Sequence, residues 1–100
     1  MKPPYYAVIF TSNLSVNTEG YSEMGEQMVQ LAQEQEGYLG IETARAEIGI
    51  TVSYWKDLES IKKWKGNLDH LVAQQLGRKN WYNNYTVRIA LVEREYSFEK

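Results

Sequence analysis

Between Tyr5 and Asn13, apolar side chains fall on both sides of a two-residue alternation: Tyr6, Val8 and Phe10 on one, Tyr5, Ala7 and Ile9 on the other. This predicts a strand that is apolar on both faces. Pro3-Pro4 in front of it favours an extended lead-in. The period then changes. Tyr21, Met24, Met28, Leu31 and Ala32 recur at spacings of three and four with Glu and Gln elsewhere. That predicts a helix from a cap at Asn17 or Thr18 to about Gln35, stopped by Gly37 in a left-handed cap. Residues 38–45 and 48–55 read as two strands joined as a hairpin through Ala46-Glu47. From Asp57 onward, Leu58, Ile61, Trp64, Lys65, Leu68, Leu71, Val72 and Leu76 hold one angular phase. They predict a second helix, with Gly66 as a candidate break and Gly77 as its end. Residues 78–84 read as irregular. The last strand, 85–94, alternates Val87, Ile89 and Leu91 against Arg88, Ala90 and Val92.

The order strand, helix, strand, strand, helix, strand predicts an α+β, ferredoxin-like βαββαβ domain spanning 1–100, with an antiparallel sheet and both helices on one face. Helices cover only one face of such a sheet, yet the first and last strands are apolar on both. A contiguous apolar face is unusual on a monomer, so a homodimer packed sheet against sheet is expected.

Composition narrows the chemistry. The net charge is −2 with both signs interleaved, and no basic block exists to neutralise a row of phosphates, so no nucleic-acid partner is expected. The short apolar run from Tyr5 to Phe10 is neither a signal peptide nor a membrane span, which points to a cytoplasmic protein with no membrane partner. One His and no Cys make an ordinary zinc or non-haem iron site improbable, because such sites want several imidazoles or thiolates. Glu19, Glu23, Glu26, Glu34 and Glu36 form no Glu-x-x-His pair for a di-iron centre. Gly37 to Gly40 is too short for a phosphate loop, so no flavin, nicotinamide or nucleotide cofactor is expected. Ser53 and Ser60 lack the constellation of a serine hydrolase.

His70 is the one side chain that titrates near neutrality unaided, with an ordinary pKa of ~6.5. On a straight helix it lies opposite Leu68, Leu71, Val72 and Leu76 and faces solvent. A break at Gly66, or a second buried surface, would turn it inward to act as a general base. Trp64 falls on the apolar stripe, where core packing and pocket lining are equally open. Arg88 interrupts an apolar strand. An ion pair with Glu42 or Glu93 is the expected reason, and anion binding the alternative. Trp55, Tyr54, Tyr82 and Tyr85 are candidate pocket walls.

The stretches Ile50-Thr-Val-Ser-Tyr-Trp55, Ile61-Lys-Lys-Trp-Lys65, Asp69-His-Leu71, Gln74-Gln-Leu-Gly-Arg78, Trp81-Tyr82, Tyr85-Thr-Val-Arg88 and Val92-Glu-Arg94 resemble the antibiotic biosynthesis monooxygenase family, in particular its small uncharacterised bacterial branch. The resemblance covers about residues 36–94. It implies a dimeric α/β barrel with a small-molecule pocket between sheet and helices in each subunit. It further implies a cofactor-independent monooxygenase of small aromatic or quinol-type compounds, with Trp64, His70 and the strand-end Asn13 as site residues. Two alternatives stay open, since this fold hosts several functions. One is a non-catalytic dimeric binding or stress-response module. The other is a haem-binding or haem-degrading protein with His70 as axial ligand. Haem-degrading relatives carry a His about two and a half turns beyond the Trp, a place held here by Gln74.

Overall fold

The computed structural model describes residues 1–75 and 81–100, with residues 70–75 described by their backbone alone. Six elements follow the predicted order: β1 (Tyr5–Leu14), α1 (Tyr21–Gln33), β2 (Tyr38–Arg45), β3 (Gly49–Trp55), α2 (Leu58–Gln75) and β4 (Tyr82–Val92). The strands form one sheet in the order β2-β3-β1-β4, and every neighbouring pair is antiparallel. This is the ferredoxin-like α+β architecture.

Strand alternation divides the sheet into two faces. Tyr6, Val8, Phe10 and Ser12 of β1 register with Trp55, Ser53, Thr51 and Gly49 of β3, and with Leu91, Ile89, Val87 and Tyr85 of β4. The helices pack on this side, because Val8 and Trp55 are buried together with Ala32 of α1 and Ile61 of α2, and Tyr6, Tyr38 and Trp64 pack against them. The opposite face carries Ala7, Ile9, Ile50, Val52, Tyr54, Arg88 and Ala90.

Local chemistry sets the ends of the elements, not always where the residue pattern placed them. α1 begins at Tyr21, and its N-cap is Gly20 with φ 81°, without a side-chain cap bond from Asn17 or Thr18. Thr18 instead offers its carbonyl to the Tyr21 N–H at 3.0 Å. Gly37 does adopt φ 90°, but three residues beyond the helical C-cap Glu34, where it turns the chain into β2. β3 opens at Gly49, one residue later than predicted. β4 opens at Tyr82, because a register shift after Asn13 lets Leu14 pair with Tyr82, and it ends at Val92 before Arg94. α2 runs through Gly66 without interruption, and the predicted stop at Gly77 lies outside the described residues. Leu58, placed on the buried stripe, is 53% exposed because it stands in the first turn, ahead of the packed Ile61.

Asp57 caps α2 through a 2.8 Å bond from the Ser60 amide to its Oδ1. Bonding from the Ser60 hydroxyl and amide lowers its pKa below the ordinary carboxylate value. The folded state therefore prefers the ionised cap, which stabilises fully above the unfolded pKa and is lost as pH falls through the folded one. Asp57→Ala is expected to lower Tm by a few degrees at pH 7, and the gap to wild type is expected to close in acid. Thermal melts by circular dichroism at the two pH values check this.

Candidate functional site

On the helix side the two halves of the sheet differ. α1 packs on β2 and α2 on β3, whereas Tyr85, Val87, Ile89 and Leu91 on the same side of β4 remain 43%, 43%, 52% and 50% exposed. The result is an open apolar strip along β4. It borders Phe10 of β1, whose ring stacks on Tyr85 with centroids 5.4 Å apart. A two-residue step spans ~6.8 Å, so Tyr85 to Leu91 extends about 20 Å.

One end of the strip meets the aromatic core. Leu91 registers with Tyr6, and Tyr6 with Trp55. The Trp64 ring lies 5.1 Å from that of Trp55, inclined by 32°. Trp55 Nε1 donates to the buried Ser53 hydroxyl at 2.8 Å. Trp64 Nε1 is buried with no hydrogen-bond partner among the described residues. Such a donor costs free energy to leave unsatisfied.

The other end carries a polar cluster that sequence reasoning missed. Arg45, Gly49, Ser12 and Tyr85 form one row across all four strands. The Arg45 guanidinium lies over Gly49, where a Cβ would collide with it. From there it donates to the Ser12 Oγ at 2.5 Å, to the Ser12 carbonyl at 3.4 Å and to the Tyr21 hydroxyl at 3.3 Å. Burial first, and a hydrogen bond with Tyr21 second, push the Tyr82 phenol well above its ordinary pKa. The Tyr82 ring meets Phe10, Tyr21 and Tyr85 edge-on at 5.5–5.7 Å. Trp81 closes the cluster: it is buried, and its Nε1 donates to the Glu19 carbonyl at 2.8 Å.

Alternation sorts the residues singled out in the sequence. Trp55, Trp64, Tyr82 and Tyr85 stand on the helix side. Asn13 alternates with Ser12 and so stands on the opposite face from Trp64, as do Tyr54 and Arg88. The Tyr54 hydroxyl donates to Glu42 at 2.7 Å, and that bond is the main cause that raises its pKa to about 12. This corrects the expected Arg88 ion pair. Glu42 lies on the far edge strand β2 and is engaged by Tyr54, while Glu93 follows the end of β4. Among the described residues Arg88 makes no ion pair. His70 lies in α2 six residues past Trp64, about 9 Å along the helix axis. Its side chain, like that of Gln74, is outside the described residues.

Among the described residues no group of three His, Asp or Glu could hold a metal ion, and no helix is long and apolar enough to cross a membrane. A polar groove of about 170 Å³ at the start of α2, lined by residues such as Lys56, Asp57, Glu59 and Lys63, is separate from the open strip.

This sheet, with its two helices on one side, has the antibiotic biosynthesis monooxygenase-like fold. A proposed antibiotic biosynthesis monooxygenase from Nitrosomonas europaea superposes with a TM-score of 0.74 at 9% identity, covering 92% of this chain and 93% of that one. SnoaB from Streptomyces nogalater, a cofactor-independent oxygenase, superposes with a TM-score of 0.70 at 7% identity, covering 98% of this chain and 100% of SnoaB. The chain belongs to the family of the uncharacterized protein YqjZ of Bacillus subtilis (strain 168): the two are 46% identical over 101 residues, 99% of this chain and 89% of the relative. No family model matches the chain.

Proposed function

We propose that this protein is a cofactor-independent monooxygenase of a small phenolic or quinol-type aromatic, bound on the helix side along β4. The observation that carries the reading is the uncovered row Tyr85, Val87, Ile89 and Leu91, which runs to the Tyr6, Trp55 and Trp64 end of the core. An apolar strip with aromatic walls suits a flat ring. Likeness of fold to a cofactor-independent oxygenase supports the reaction class.

In this proposal His70 is the general base. It takes the phenolic proton, and the electron-rich ring gives an electron pair to dioxygen as a carbon–oxygen bond forms. The proton returns to the peroxide, the attacked ring carbon gives up its hydrogen as a proton, the oxygen–oxygen bond breaks and water leaves. One oxygen atom stays in a quinone product and the other departs in water, with all the electrons supplied by the substrate. Trp64 forms the wall beside the reacting ring. Asn13, on the opposite face, has no part in this geometry.

Oxygen uptake with 1-naphthol and a panel of hydroquinones tests the reading. Loss of a general base lowers rates by roughly 10²–10⁴-fold, so His70→Phe is expected to fall into that range. Trp64→Ala is expected to weaken turnover chiefly through KM. Wild-type uptake equal to buffer, from a folded protein, would contradict the oxygenase and leave a binding module.

The same proposal includes a homodimer in which a second copy covers the other face, around Ile9, Ile50, Val52 and Ala90. Ile50 there is 46% exposed, a poor state for an isoleucine on an interior strand. Sedimentation at micromolar concentration is expected to give twice the 11.7 kDa chain mass. Ile50→Lys is expected to shift the species toward the monomer.

A further inference from the structure

We infer that Arg45, held by Ser12 and Tyr21, is an anchor for the anionic end of an aromatic ligand whose rings lie on Phe10 and Tyr85. The inference rests on the proposed use of the β4 strip, and it adds the ligand's charge: an aromatic carboxylate, sulfonate or acidic phenol.

Three observations converge. The guanidinium is fixed in place. It lies over Gly49, the position where a side chain would displace it, and reaches from β2 across β3 to Ser12 on β1. An arginine meant only for solvation has no need of that course, since holding a long side chain in one geometry costs conformational entropy.

Among the described residues its partners are all neutral: a hydroxyl, a carbonyl, a phenol and the Tyr21 ring face, 5.7 Å from the guanidinium carbon. Among the described residues no carboxylate lies within ion-pairing distance. These neutral contacts use three of the five N–H donors, both on Nη2 and one on Nη1, so one Nη1 hydrogen and the Nε–H remain as separate charge-assisted donors for an anion's oxygens.

The third observation is where the charge sits. In the row Arg45, Gly49, Ser12, Tyr85, the cation stands at one end and an exposed aromatic at the other, with Phe10 stacked on that aromatic. Tyr82, whose phenol stays protonated at neutral pH, walls the gap as a neutral group and adds no repulsion. An anion at Arg45 with rings toward Tyr85 therefore meets charge and apolar surface together.

Fluorescence titration with two probes tests this. 8-Anilinonaphthalene-1-sulfonate is an aromatic anion, and N-phenyl-1-naphthylamine has the same rings without the sulfonate. Wild type is expected to bind the anion more tightly than the neutral probe. Arg45→Met is expected to lower affinity for the anion by about tenfold or more, the usual worth of a charge-assisted bond, and to leave the neutral probe within roughly twofold. Gly49→Ala, which keeps the charge but displaces it, is expected to reproduce the loss. Arg45→Lys serves if either variant fails to give a native circular dichroism spectrum, and is expected to show an intermediate loss for the anion alone.

Equal binding of the anion by wild type and Arg45→Met would overturn the anchor. So would parallel loss of both probes, or no binding of either probe by wild type. The assay needs no turnover. Lost discrimination with intact oxygen uptake overturns the anchor alone, and absent uptake with discrimination kept overturns the oxygenase alone.

Discussion

Trp55→Ala is expected to cost about 3–5 kcal/mol, the range for emptying a large aromatic site in a packed core. Trp55 is 0% exposed and stands where both helices meet the sheet, touching Tyr38 edge-on at 5.8 Å and Trp64 at 5.1 Å. Its loss also strands a polar group, because the Ser53 hydroxyl is 2% exposed and receives the indole N–H. Small domains hold only about 5–15 kcal/mol in total, so the variant is expected to melt at or near ambient temperature. Urea unfolding separates the two contributions. Trp55→Phe is expected to lose less, and adding Ser53→Ala to it is expected to recover about 1 kcal/mol by removing the unpartnered hydroxyl. No recovery would show that the hydroxyl finds another partner.

Gly37→Ala is the second large effect. Gly37 sits at φ 90°, a conformation that L side chains rarely adopt, and a Cβ there would overlap the Ser60 hydroxyl and Cβ. Its carbonyl also receives the Lys56 amide at 2.8 Å, so the backbone is not at liberty to swing away. The left-handed conformation costs roughly 1–2 kcal/mol. Overpacking adds roughly 1–3 kcal/mol. Ser60→Gly in the alanine background is expected to return the overlap part and leave the backbone part. Thermal unfolding reads both, and a single variant as stable as wild type would refute the account of this turn.

The elements were legible because their periods are unambiguous. A stripe of Met24, Met28, Leu31 and Ala32 admits only a helix with one buried side, and that side is buried or half-buried. The two-faced strand β1 lies in the interior of the sheet, between β3 and β4. The start of α1 was not legible, because its cause is tertiary. Ser15 Oγ engages the Asn17 amide, and the Ser15 amide is held by the Trp81 carbonyl. The capping residues are thus drawn into a loop pinned by a tryptophan more than sixty positions away.

Parity explains the mixed fortune of the candidate site residues. Asn13 and Ser12 are neighbours in sequence but stand on opposite faces, and only the register with Asn84 and Tyr85 reveals which one meets the helices. In the sequence Arg45 does no more than close the run 38–45. Only the pairing of β2 through β3 to β1 places it over Gly49 and beside Ser12. The nearest signal in the sequence was Gly49 itself, a glycine opening a strand, which marks a close approach by another group.

The helix-side strip of β4 as the ligand surface is tested most directly by methyl-resolved NMR of the isotopically labelled protein titrated with 1-naphthol under nitrogen. The methyl signals of Val87, Ile89 and Leu91 are expected to shift together with the indole N–H of Trp64, while Ile9, Ile50 and Val52 on the other face stay in place. Shifts confined to Ile9, Ile50 and Val52, or none at millimolar 1-naphthol, would contradict the account.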